Sequence, residues 1–260
     1  MRRAAAAACA VALTVTACSS SKVIAAGGSS SSTSSALGGT ITVFAAASLT
    51  EAFTSLGHAF ETAHPGTHVT FDFGASSALA LQINQGATAD VFASAAPKNM
   101  QQVITAGGAT TSSDFATNVM EIAVPPANPA HIASVADLAR SGVKVALCQP
   151  QVPCGSTAAQ VFANARVSVH PVTLEQDVKA TLTKVELGEV DAGVVYVTDV
   201  RAAGTKVRGV PIAAAVNAST AYPIAALTHT RNSALAQAFV GFVLSAAGRA
   251  VLLADGFQAP

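Results

Sequence analysis

Short apolar blocks alternate along this chain with stretches whose apolar residues fall at helical spacing. Residues 41–45 (ITVFA) make an apolar, partly β-branched run of strand length. After a turn of small residues, Ala52, Phe53, Leu56 and Phe60 form a helical stripe. Ser48 and Glu51 stand three apart ahead of that stripe, the spacing of a capping box, so a helix is expected from Ser48 to the turn His64-Pro65-Gly66. The alternation continues with a strand at 69–73, a helix opening at 74–77 and stopping at Gly86, a strand at 89–93, and a helix at 97–106. A longer strand, NVMEIAVP at 118–125, is broken by Pro125-Pro126.

A second series follows: a short helix at 135–141, a strand at 143–147, a cysteine loop and a helix at 156–165. Then come a brief strand at 170–173, a helix at 176–187, and strands at 192–197, 210–216 and 222–228. An Ala-rich helical stretch, 233–254, closes the chain with a break expected at Gly248. Repeated βα units predict parallel sheets, and two such series predict two α/β lobes with a cleft between them. Helices that open off the carboxyl ends of strands aim free N–H groups at that cleft, where anions are favoured. Four helix starts have this character: Ser48, Ser76-Ser77, Gly155-Ser156 and Gln176-Asp177-Val178. They offer hydroxyls and bare amides more than charge, and Tyr196 adds a phenol near the end of the strand AGVVYV.

Composition narrows the partners. Of 260 residues 51% are apolar and only 11% charged, with Lys+Arg and Asp+Glu balanced at 14 each and no Trp. That balance gives no footing for nucleic-acid binding. Arg2 and Arg3 precede an uncharged run, 4–17, that is too short to span a bilayer and has the form of a signal-peptide core. It ends in Val15-Thr16-Ala17-Cys18, which resembles the bacterial lipobox, so Cys18 is expected to be acylated after cleavage; an ordinary secretory site is the alternative. The Ser/Gly-rich tract that follows suits a tether with a reach of roughly 25 Å. Cys9 leaves with the signal peptide, so Cys148 and Cys154 remain, six apart. Outside the cytoplasm such a pair reads as a disulfide rather than a redox centre, with two free thiols as the alternative.

Several segments together resemble the periplasmic molybdate-binding proteins, the solute receptors of molybdate ABC importers. They are FAAASLT at 44–50, FGASS at 73–77, QINQGA at 82–87, ADVFASA at 89–95, VPCG at 152–155, QDV at 176–178 and GVVY at 193–196. The resemblance runs in order through 40–257. It implies a two-lobed class II periplasmic-binding-protein fold that closes on a tetrahedral dianion, with the ligand in the cleft. The implied contacts are hydroxyl and backbone N–H from Ser48 and Ser76 (with Ser77 the neighbouring choice), backbone N–H from Cys154 and Val178, and the Tyr196 hydroxyl. The family usually carries Ala at the place of Cys154, a change that leaves a backbone donor intact. The implied organisation is a signal peptide at 1–17, a lipid-anchored linker at 18–39, lobe I at 40–118 and 218–260, and lobe II at 119–217.

The resulting expectation is an exported, membrane-anchored monomer that binds molybdate or tungstate, needs no cofactor, and passes its cargo to an ABC permease. A receptor for sulfate or phosphate is the alternative within the same class. An enzyme using Ser48 is the alternative outside it, but G-x-S-x-G, H-E-x-x-H and G-x-G-x-x-G are all absent from the sequence. His58, His64 and His68, six and four apart, have a spacing that invites a zinc-receptor reading, but His64 falls in a turn and His68 opens a strand, so they need not converge.

Overall fold

The carboxyl ends of β1 (Gly39–Ala46) and its parallel neighbours β2 (Thr67–Gly74) and β3 (Val91–Ala93) define one side of the fold. The computed structural model describes residues 37–260, so the expected signal peptide, the expected lipidation site Cys18 and most of the expected linker lie outside the described residues. β1 is buried on both faces, as an inner parallel strand requires. Ile41, Val43 and Ala45 face α1 (Thr50–Ala63) and α7 (Ser233–Leu244), whereas Phe44 turns toward α2 (Ser76–Asn84) and α3 (Pro97–Thr105). The first face holds an aromatic cluster in which Phe53, Phe60 and Phe239 meet edge to face.

β4 (Ser113–Val124) is the structural pivot. At 12 residues it is longer than one core, and its two halves pair with different partners. Residues 113–119 lie antiparallel to β9 (Ser219–Ala226), which continues to β3. Residues 120–124 pair antiparallel with β7 (Ala192–Tyr196) and β8 (Arg208–Pro211). Beyond β7 the sheet regains parallel pairing through β5 (Val145–Cys148) and β6 (Thr173–Glu175). The strand order is β2-β1-β3-β9-β4-β7-β5-β6, with β8 beside β4. A second, mainly aliphatic core of Met120, Ile122, Val145, Val185 and Val194 fills this side.

The sheet is therefore mixed, a correction to the all-parallel expectation: β4 and β9, along which the chain crosses between cores, run antiparallel to their neighbours, and β8 pairs antiparallel with the second half of β4. Local corrections follow the same logic of context. The strand expected at 170–173 lies at Thr173–Glu175, and the strand expected at 210–216 stops at Pro211. The helix expected at 135–141 is a five-residue 3-10 segment. The final helical stretch breaks at Ser245, not Gly248, into α7 and α8 (Ala246–Ala254), and Ser245 Oγ accepts the Gly248 N–H. A Cβ on Gly248 would come within 2.4 Å of the Phe242 and Val243 carbonyl oxygens, so this glycine allows a tight helix corner rather than ending a helix. α6 (Val197–Ala203), unforeseen in the sequence, starts straight off β7, and its Asp199 carboxylate accepts the Tyr196 N–H.

Candidate functional site

Chain reversals at the ends of β1, β2, β5, β6 and β7 bring Ser48, Ser76, Cys154, Val178 and Tyr196 to line one tight cavity of about 10 Å³. None of the five is more than 4% exposed. Ser48 sits in a 3-10 turn, Ala47–Leu49, which precedes α1. The capping box expected of Ser48 and Glu51 is not formed: Ser48 Oγ lies 2.9 Å from the Tyr222 hydroxyl, and Glu51 turns to Lys179. The reason is tertiary, since Tyr222 on β9 competes successfully for the serine oxygen.

Ser76 is the first residue of α2, and its Oγ accepts the Ala95 N–H at 2.9 Å. Its neighbour Ser77 lines a separate groove between α2 and α3, so Ser76 is the serine at the cavity. α4 (Pro153–Ala165) opens three residues earlier than its sequence pattern suggests, which places Cys154 in its first turn. Val178 is the first residue of α5 (Val178–Glu186), and the Asp177 carboxylate caps that helix by accepting the Ala180 N–H at 2.8 Å. First-turn N–H groups have no partner within their own helix, so α2, α4 and α5 bring free amides to one place, with the Asp177 carboxylate offsetting part of the positive end of α5.

A disulfide joins Cys148 to Cys154, with Cα atoms 5.8 Å apart, and ties the end of β5 to the start of α4. A closed loop of this length contributes about 2 kcal/mol by constraining the unfolded chain. Gly155, next in sequence, packs so closely that an added Cβ would lie 2.1 Å from the Gln149 carbonyl oxygen.

The Tyr196 hydroxyl is buried and makes no geometrically sound hydrogen bond, although the hydroxyls of Thr157 and Tyr222 are nearby. Burial raises its pKa well above the ordinary phenol value, so it stays a neutral donor. A buried polar hydrogen without a partner is uncommon and points to a group that the cavity is built to receive.

Charge is present beside the cavity but directed elsewhere. Lys179 Nζ lies 2.8 Å from Glu51 on α1 and 3.4 Å from Asp199 on α6, joining elements of the two cores. Burial pulls the Lys179 ammonium down, and the Asp199 and Glu51 carboxylates together more than offset it, leaving it above the ordinary lysine value. Asp199 is fully buried, and desolvation lifts its carboxyl to about 6 despite the Lys179 ammonium. Its folded value exceeds the unfolded one, so the native state holds the extra proton between about pH 4 and 6, and this group's contribution to stability falls as pH rises through that window. In Asp199→Asn that slope is expected to vanish. The melting temperature of the unsubstituted protein minus that of the variant should fall from pH 4 to 6.5, and a constant difference would mean that Asp199 ionises as if in water.

Asp199, Lys179, Tyr222 and Asn118 were not singled out from sequence. The order Tyr196-Val197-Thr198-Asp199 held a signal for Asp199, an acid at the third position of a helix. Tyr222 had none, standing 174 residues from its partner Ser48. Among the described residues no cluster of His, Cys, Asp and Glu could hold a metal ion. His68 pairs with Glu61 at 2.9 Å, and the His64 ring lies 4.5 Å from that of Phe60.

A mixed α/β fold with two cores and a small, buried, donor-lined cavity at strand ends defines a solute-binding protein. Residues 41–258 match the family of bacterial extracellular solute-binding proteins. The molybdate-binding protein ModA of Mycobacterium tuberculosis is 46% identical over 222 residues, 85% of this chain and 85% of that protein. A putative ABC transporter substrate-binding lipoprotein of Bacillus subtilis, YvgL, is 31% identical over 85% of this chain and 86% of its own length. The Azotobacter vinelandii periplasmic molybdate-binding protein shares the fold at a TM-score of 0.73, with 20% identity over 85% of this chain and 99% of that one. The chain belongs to the periplasmic molybdate-binding family of the extracellular solute-binding proteins.

Proposed function

We propose that this protein captures molybdate, and equally tungstate, outside the cytoplasmic membrane and delivers it to an ABC permease. The observation that carries the reading is the convergence of Ser48, Ser76, Cys154, Val178 and Tyr196 on one buried cavity. A fully deprotonated tetrahedral dianion presents only acceptors, so it needs donors from every side. Hydroxyls and helix-start amides supply them, each charge-assisted bond contributing about 1.5–3 kcal/mol. The one charged residue at the cavity, Asp177, spends its carboxylate on its own helix. Neutral donors leave the empty site without a buried unpaired charge, which keeps release to the permease accessible.

The two lobes, 40–118 with 218–260 and 119–217, would close on the ion by bending where β4 and β9 pass between the cores. The lipobox-like sequence ending at Cys18 and the tether behind it would hold the body at the outer face of the membrane. In Cys18→Ala the protein should leave the membrane fraction, and an unaltered distribution would refute the anchor. The ligand is tested by calorimetry of the purified protein with molybdate, tungstate, sulfate and phosphate. Tight binding of molybdate and tungstate is expected. Tight binding of phosphate with none of molybdate would overturn the reading.

A further inference from the structure

The hydrogen bond between Ser48 and Tyr222 has a direction, and the atoms around it determine which. Asn118, on β4, has its amide orientation set from both ends: Oδ1 accepts the Val119 N–H at 3.0 Å and Nδ2 donates to Thr198 Oγ1 at 2.8 Å. The second hydrogen of Nδ2 faces the Tyr222 hydroxyl at 3.5 Å. An amide nitrogen cannot accept a hydrogen bond, so the Tyr222 hydrogen cannot be satisfied by Asn118. The Tyr196 hydroxyl lies nearby but outside hydrogen-bonding geometry, which leaves Ser48 Oγ at 2.9 Å as the acceptor. Tyr222 therefore donates to Ser48, and the serine's own hydrogen is turned away from Tyr222. Among the described residues Ser48 Oγ has no other hydrogen-bond partner; Ser48 borders both the donor-lined cavity and a second pocket beside Glu51 and Arg201, and its hydrogen is free to turn into the former. All three side chains are essentially buried, and water does not compete for the bonds.

The opposite polarity would be costly. Were Ser48 to donate, the Tyr222 hydrogen would point at an N–H group and remain unsatisfied in the core. The same arrangement occurs at the other serine, where the Ala95 N–H occupies Ser76 Oγ and directs that hydroxyl's hydrogen outward. A backbone donor makes that orientation intrinsic to the fold, whereas at Ser48 it depends on two side chains from β4 and β9, the strands that cross between the cores.

We propose that Tyr222, backed by Asn118, is a positioning residue that commits the Ser48 hydroxyl to donate into the ligand cavity. The inference rests on the molybdate reading above and deepens it. Tyr222 acts through Ser48 and contributes no contact of its own to the ligand.

A double-mutant cycle tests this directly, by calorimetry of the purified full-length protein with molybdate at pH 7.5. Ser48→Ala should weaken binding about tenfold or more, and Tyr222→Phe about threefold to tenfold, because the serine can then turn its hydrogen elsewhere. In the Ser48→Ala background, Tyr222→Phe should add less than about twofold, since there is no hydroxyl left to orient. Independent, multiplicative losses would overturn the proposal and leave Tyr222 with a packing role. If Ser48→Ala and the unsubstituted protein bind molybdate equally, the ligand role of Ser48 fails first. Absence of molybdate binding by the unsubstituted protein would remove the functional reading itself.

A spectroscopic measurement serves if Tyr222→Phe does not fold. The chain has only two tyrosines, so Cζ-labelled tyrosine gives two resonances to assign. Ser48→Ala should shift the Tyr222 resonance as its hydrogen loses an acceptor, and an unmoved resonance would show that Tyr222 does not donate to Ser48.

Discussion

Replacing Ser48 and Ser76 together by alanine is expected to weaken molybdate binding by at least about a hundredfold. Two charge-assisted hydrogen bonds at about 1.5 kcal/mol each, the low end of their range, amount to roughly 150-fold in affinity. The two serines, one before α1 and one opening α2, share no hydrogen-bond partner within the protein, so only the bound ion couples their losses. The backbone donors at Cys154 and Val178 and the Tyr196 phenol would remain, which makes a weak residual affinity the expected result rather than none. Calorimetry of the double variant decides the matter. A loss below tenfold would mean that the serines serve only the protein's internal bonds to Tyr222 and Ala95. Those internal bonds also predict a cost in stability, since the substitution leaves the Ala95 N–H and the Tyr222 hydroxyl without acceptors.

The second large effect is expected from Gly155→Ala. The added methyl would lie 2.1 Å from the Gln149 carbonyl oxygen and 2.7 Å from that of Cys148, both backbone atoms that no rotamer change can move. The start of α4 would have to separate from the end of β5, where the Cys148–Cys154 disulfide holds them together. Overpacking of this kind costs about 3 kcal/mol or more, which in a domain of this size lowers the melting temperature by roughly 6–12 °C. Because Cys154 lies in the displaced turn, molybdate affinity should fall with stability. A variant that melts within 2 °C of the parent, by the same rough scale, would show that this junction has room to relax.

Local pattern made much of the chain legible. β1, α3, β7 and the helical body of α5 fall within a few residues of where apolar spacing puts them, because each buries one regular face against a neighbour. The site serines were visible for a related reason: a hydroxyl or small residue directly after a buried strand marks a helix start. What the pattern misassigned depended on distant partners. Glu51 looked like half of a capping box until Lys179, 128 residues away, supplied a stronger partner. The end of AGVVYV continued as an apolar run, yet the chain turns into α6 because Asp199 satisfies the Tyr196 N–H. Gly248 looked like a helix stop, and Ser245 proved to be the turning point because its hydroxyl caps the next helix.

By itself, the amino-acid sequence determined the α/β character, the helix starts that follow buried strands, and the pair of cysteines positioned to bridge. Those properties are carried by short-range spacing and by side-chain chemistry, which a linear pattern preserves. Only the tertiary structure decided that the sheet is mixed, that β4 serves both cores, and that Tyr222 and Asn118 stand behind Ser48. Strand direction and hydrogen-bond polarity are settled by which segments meet across more than a hundred residues of chain, and nothing local in those segments records the encounter.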